Sequence, residues 1–317
     1  MPLAGQRLYT NGMMRQTLRT ILLLALLVTL PCTLIAAPST KAGASLETMP
    51  AAWLEADFLL LGEVHDNSAG HALRLRWLQQ LVQQRKVALV FEQFDLESQP
   101  ALDQAVQQWQ ASNEPADDAA SKAIAEAARF NFKGWKWPLY APVVNLALGH
   151  GLPLGAANLS RAQMVALMSG NGPVPPEPDH WGEQQRLNLL QEVREGHCNL
   201  MPEAQLPLMA AAQRARDDGM AGAMVAMHLR TGLPVVLLAG NGHLRRDLAV
   251  PVWLRQRAPQ ARVVSVAVLE LGTPQSFDPA VVYDTVAWVP AEPRPDPCEA
   301  LRKRFSGSPP GSSPATP

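Results

Sequence analysis

Residues 57–65 read D-F-L-L-L-G-E-V-H, an apolar run that ends in glycine and passes directly into an acid and a histidine. Apolar residues without alternation mark a strand buried on both faces, which is the habit of parallel sheets. Three further runs have this character: K-V-A-L-V-F at 86–91, a short one at 152–157, and L-P-V-V-L-L-A at 233–239. Residues 262–270 form a fifth strand and 281–289 an edge strand. Between them lie helical stretches. Residues 68–85 carry Leu73, Trp77, Leu78 and Leu81 at helical spacing. Helices are also predicted at 138–149, 161–169, 181–195, 206–229 and 244–257, and alanine-rich ones from 96 to 130 with a break at 113–116. Strands alternating with helices predict an α/β fold, a mostly parallel sheet covered by helices on both faces. The stretches 96–135 and 171–215 are too long for simple crossovers and are expected as helical insertions capping one edge of the sheet.

The N-terminus predicts export. Arg15 and Arg19 precede an apolar run at 21–30, and Ala36 and Ala37 follow it, the order of a secretory signal. The apolar run is shorter than the roughly 20 residues of a spanning helix. Residues 1–37 are therefore read as a signal segment, 38–49 as a linker, 50–292 as one α/β domain, and 293–317, rich in Pro, Ser and Gly, as a tail without structure. Cys32 offers the alternative of a lipid anchor, although Leu30 and Pro31 before it fit a lipobox poorly. Cleavage near Ala36 leaves Cys198 and Cys298, which an oxidising compartment permits to pair. A net charge of -1 excludes the basic footprint of a nucleic-acid binder. No G-x-G-x-x-G is present, which argues against a dinucleotide site.

In an open parallel sheet ligands bind beyond the carboxyl ends of the strands. The first strand delivers Glu63 and His65 there, the second Glu92, the third Asn158 and the fourth His243, with L-L-x-G-x-x-H repeated at 59–65 and 237–243. Imidazole and carboxylate together can ligate a metal or move protons near neutral pH. The alternative is that the histidines cap the following helices and the glutamates pair with Arg74, Arg245 or Arg246. The stripe Met220, Met224, Met227 reads as core. His197 and Cys198 resemble a metal dyad only weakly.

Six blocks carry a family resemblance: L-G-E-V-H-D-N at 61–67, V-F-E-Q-F at 90–94, W-K-W-P-L-Y at 135–140, A-A-N-L-S-R at 156–161, Q-R-A-R-D-D-G-M-A at 213–221 and G-N-G-H-L-R-R-D-L-A-V-P at 240–251. In this series the chain resembles the ChaN haem-binding proteins, which share a superfamily with the erythromycin esterases and the TraB/Tiki proteins. The resemblance implies haem as ligand, a periplasmic or outer-membrane-attached location, a homodimer enclosing two haems face to face, an outer-membrane haem receptor as partner, and tyrosine on iron. No C-x-x-C-H is present, so covalent attachment is excluded. After residue 37 only Tyr140 and Tyr283 remain, and a tyrosinate can ligate ferric haem. Tyr140 is the candidate iron ligand beside Trp135 and Trp137, the alternative being that all three rings are core. Arg161, Arg245, Arg246 and His243 are candidates for contacts to haem, the arginines through its propionates. A hydrolase using Glu63, His65, Glu92 and His243, with or without a metal, is the competing reading, and an inherited, inactive site on a scaffold protein the third.

Overall fold

The computed structural model describes residues 46–306. The expected signal segment, Cys32 and the last residues, 307–317, lie outside the described residues. The strands are β1 (Phe58–Glu63), β2 (Ala88–Asp95), β3 (Leu154–Asn158), β4 (Val235–Gly240), β5 (Val263–Glu270) and β6 (Thr285–Val289). The helices are α1 (Ser68–Val82), α2 (Gln99–Ser112), α3 (Asp118–Ala127), α4 (Trp137–Gly149), α5 (Arg161–Met168), α6 (Glu183–Gly196), α7 (Leu206–Thr231), α8 (Val250–Arg257), α9 (Pro279–Val282) and α10 (Pro297–Ser306).

All strand pairs are parallel, in the order β3-β2-β4-β1-β5-β6. The central strands are apolar throughout because both of their faces are covered. Leu59, Leu61, Leu89 and Phe91 face one core with Trp77 of α1, Leu102 of α2, Ile124 of α3 and Val144 of α4. The alternate residues Phe58, Leu60, Ala88 and Val90 face a second core with Met220, Met224 and Met227 of α7 and Trp253 of α8. Each fully buried leucine contributes on the order of 1.5–3 kcal/mol. The methionine stripe is therefore core, as its spacing predicts.

Three expectations change. The insertions do not cap one edge together. Residues 96–135 join the first core through Leu102 and Ile124, whereas α6 packs against α7 and α8 through Leu189, Val193, Leu206 and Val252. Residues 244–257 are not one helix: a 3-10 turn at Asn241–Leu244 is followed by a connection, and α8 begins at Val250 with Pro251 in its first turn. Residues 281–289 divide at Asp284, whose carboxylate accepts from the Ser265 amide at 2.9 Å and ends the α9 turn before β6.

The stretch from residue 293, which composition predicts to lack structure, carries α10. Asp296 accepts from the Cys298 amide at 2.9 Å, and Cys298 is disulfide-bonded to Cys198, 100 residues away. Among the described residues no helix is long and apolar enough to cross a membrane.

Candidate functional site

Gly62 and Gly240 set the geometry of the strand ends. A Cβ on Gly62 would fall 2.1 Å from Oδ1 of Asn241 and 2.9 Å from the Val266 carbonyl, so only glycine lets the chain after β4 fold back over β1. Glu63 pairs in register with Gly240, which brings His65, two residues on, over the end of β4. A Cβ on Gly240 would meet His65 at 2.8 Å and Glu92 at 3.6 Å. The residues of both Gly-x-x-His elements thus gather around one glycine.

Glu63 is the first hub. Its Oε1 accepts from the Tyr140 hydroxyl at 2.6 Å, from Gln93 Nε2 at 3.2 Å, and lies 2.7 Å from His65 Nδ1. Its Oε2 is ion-paired with Arg74, and His71 Nε2 stands 3.9 Å away. Burial alone would raise this carboxyl, but the Arg74 guanidinium and the flanking histidines hold it down to about 2. Burial and the same guanidinium push His71 down to about 4, so it stays neutral. His71 and Arg74 come from the buried face of α1, one helical turn apart.

Glu92 is the second hub. Its Oε2 accepts from the Gly240 amide at 2.7 Å, and its Oε1 is paired with Arg216 and lies 3.5 Å from His243 Nε2. Asp217 Oδ1 holds the other ring nitrogen, Nδ1, at 2.6 Å. Burial and Arg216 oppose a charge on His243, but the carboxylates of Glu92 and Asp217 prevail and raise it to about 9. Arg216 also donates to Asn158 at 3.0 Å, which ties in the end of β3.

Of the residues picked from the sequence, the structure brings Glu63, His65, Glu92, His243 and Tyr140 together. The histidines do not cap helices: the Asn67 side chain caps α1 by accepting from Gly70 at 2.7 Å. The pairing of Glu63 with Arg74 does occur. Arg245 is not free for a propionate, being buried between Glu192 and Asp247, and Arg246 is paired with Asp284. Arg161 is exposed at the start of α5, and Trp137 packs on Phe130 and Phe132 at 5.2 and 5.5 Å. Tyr140 is 2% exposed and its hydroxyl donates to Glu63 at 2.6 Å, and burial with the adjacent carboxylate holds its pKa far above the ordinary phenol range. Among the described residues no three His, Cys, Asp or Glu side chains form a metal-ligating group.

Sequence reasoning missed His71, Arg216 and Asp217, and named Arg74 only as one of three possible partners of the glutamates. A signal existed: Asp217 falls in phase with Met220, Ala221 and Met224, and Arg74 in phase with His71, Leu78 and Leu81. A charge in the buried register of a helix needs a buried partner.

One side of the site is open. The His65 side chain is 42% exposed, and its ring meets Trp135 edge-on at 4.5 Å between centroids. Beyond Trp135 runs the segment F-K-G-W-K-W at 132–137, with Phe132, Lys133 and Lys136 exposed.

A family model described as haem-binding uptake, Tiki superfamily, ChaN, matches residues 49–254. Among solved structures, ChaN of Campylobacter jejuni, described as binding haem cofacially, superposes with a TM-score of 0.59 at 23% identity, covering 71% of this chain and 85% of that one. The type III effector HopBA1 gives 0.39 at 10% identity over 74% and 88% of the two chains, and an erythromycin esterase 0.39 at 13% over 71% and 74%. No curated protein sequence matches.

Proposed function

Because the chain belongs to the haem-binding uptake family of ChaN proteins in the Tiki superfamily, we propose that it is an exported protein that captures haem for iron acquisition. The family match over residues 49–254 carries this reading. The basic, apolar and small-residue order of residues 15–37 supports export to the periplasm, and Cys32 is the position for a lipid anchor if one is attached. Haem is here cargo, held reversibly and passed to or from an outer-membrane receptor. The cofacial haem of the Campylobacter jejuni relative supports a homodimer that encloses two haems between like surfaces. The segment at 132–137, with Phe132 exposed and Trp135 and Trp137 half-buried, gives such a surface aromatic rings beside the strand ends.

The test is a haemin titration of the chain from residue 38 onward, followed by absorbance and by sedimentation of the same samples. Saturable growth of the Soret band with conversion of monomer to dimer is the expected outcome. A folded, monomeric protein without saturable binding sinks the reading. One observation favours a second one: the Glu63 carboxylate behind a half-open His65 is the arrangement of a general base. On that reading ester or peptide hydrolysis disappears in His65→Ala, with haem colour unchanged.

A further inference from the structure

We infer that the Cys198–Cys298 disulfide is an exchangeable latch, opened by a protein dithiol, and that it fastens a strap, residues 290–298, along the rim of the strand-end site. The inference rests on export, since an oxidising compartment lets such a bond form, and not on haem. The family match ends at residue 254, so the strap and one of the two cysteines lie outside the matched residues.

Three observations separate this bond from a purely structural one. Among the described residues none after Val289 belongs to a buried apolar core, and the strap lies on the body through polar contacts. Glu292 accepts from the Ser68 amide and hydroxyl at 3.1 and 2.8 Å, its own amide donates to Glu270 at 3.0 Å, and Arg294 bridges Asp66 and Glu270. Opening the bond therefore frees the strap without emptying the core. Secondly, Cys198 stands in the left-handed region, at φ 56°, as does Asn199 after it. Asparagine takes that conformation readily, whereas cysteine does so only when its surroundings hold it there. Thirdly, both cysteines are half-buried at the surface and not in the core. Strained or accessible disulfides are the ones that exchange with thiols, while unstrained buried ones resist them.

The strap's position gives the latch its consequence. Ser68 opens α1 three residues after His65. Its hydrogen bonds, and the nearby Lys136, hold the Glu292 carboxyl below its ordinary value. The strap thus joins the β1–α1 turn to the segment carrying Trp135, the two stretches that meet at the His65 ring. In the exchange a donor thiolate attacks one sulfur of the latch, the S–S bond breaks, and the other sulfur leaves as a thiolate and takes up a proton. The donor's second thiolate then attacks the donor sulfur of the mixed disulfide, releasing the remaining cysteine, which is protonated in turn. Two electrons and two protons pass to Cys198 and Cys298, and the donor ends as its disulfide.

The experiment uses the chain from residue 38 onward, purified after export, in which Cys198 and Cys298 are the only cysteines. It is equilibrated in glutathione redox buffers without denaturant, and separately mixed with a thioredoxin whose second active-site cysteine is replaced by serine. Reversible opening with an unchanged far-UV circular dichroism spectrum is expected. The Ser68 and Glu292 amides should then exchange with deuterium at least about tenfold faster, as in a segment that has moved to the fraying end of the stability range. A mixed disulfide should be trapped with the wild type and not with Cys198→Ser/Cys298→Ser, and that double variant should show the fast exchange without reductant. The inference fails if the bond opens only when denaturant unfolds the chain, if the dichroism is lost with it, if the two amides keep their protection, or if nothing is trapped. It fails equally if the exported chain carries free thiols. Should the double variant not fold, the reduced wild type supplies the same readout. A chain that binds no haemin saturably but behaves in this way loses the haem reading and keeps the latch.

Discussion

Arg74 is the cation that lets Glu63 remain ionised inside the protein. Both side chains are almost completely buried, and the carboxylate also accepts the Tyr140 hydroxyl. A buried pair of this kind adds little net stability, but removing one partner strands the other and costs about 3–5 kcal/mol. Arg74→Met is thus expected to lower the urea midpoint at neutral pH by an amount of that order. The loss should shrink as the pH falls, because without the guanidinium Glu63 can take up a proton and become neutral. An equal loss at pH 4 and pH 7 would show that the guanidinium's packing, not its charge, matters. Tyr140→Phe removes one hydrogen bond to a charged group, worth about 1.5–3 kcal/mol. It should lower the urea midpoint by about that much. An unchanged midpoint would show that the hydroxyl's bond to Glu63 adds nothing to the fold.

At the scale of elements, the C-terminal segment is held by contacts that composition did not reveal. The Pro290 carbonyl accepts from Asn67 at 2.8 Å, Glu292 accepts from the Ser68 amide and hydroxyl at 3.1 and 2.8 Å, and Arg294 bridges Asp66 and Glu270. The Cys198–Cys298 disulfide then closes a loop of 100 residues, for which chain entropy predicts about 4–5 kcal/mol. Reduction, or Cys298→Ser, should therefore lower the thermal midpoint and open the chain to trypsin after Arg302. Resistance at that site in the reduced protein would show that the polar contacts suffice. The same contrast explains what the sequence made legible. Strands buried on both faces are visible as unbroken apolar runs, and their ends drew attention to Glu63, His65, Glu92 and His243. Partners contributed by helices were not visible, because Arg216 and Asp217 look like a solvated helix face unless their phase against Met220 and Met224 is counted. The break before α8 was legible in Pro251, since proline belongs to a first helical turn, yet periodicity alone carried the helix through it.

For the molecule as a whole, four buried groups with displaced titrations shape how stability varies with pH. His71 is pushed down to about 4 in the folded protein against 6.5 unfolded, so below pH 6.5 the unfolded chain takes a proton that the native state refuses, and its contribution falls toward pH 4. Glu192 offsets this limb, because burial raises it to about 7 against 4.5, and its contribution is complete below pH 4.5 and lost as the pH rises to 7. Glu63 is held at about 2 against 4.5, so a net loss sets in below pH 4.5. His243 works in the opposite direction. It is raised to about 9 by Glu92 and Asp217, so its contribution is complete below pH 6.5 and is lost as the pH rises through 9. At about 1.4 kcal/mol per pH unit, the alkaline limb of His243 amounts to at most about 3.5 kcal/mol. The thermal midpoint is accordingly expected to be level between about pH 4.5 and 6.5 and to fall on either side. In His243→Gln the slope between pH 6.5 and 9 should flatten, because the neutral amide keeps a hydrogen bond to Asp217 without the titrating charge, while the acid limb stays. A wild-type midpoint that is level or rising from pH 7 to 9 would mean that His243 is neutral in the fold, and that the ion pair between α7 and the end of β4 does not exist.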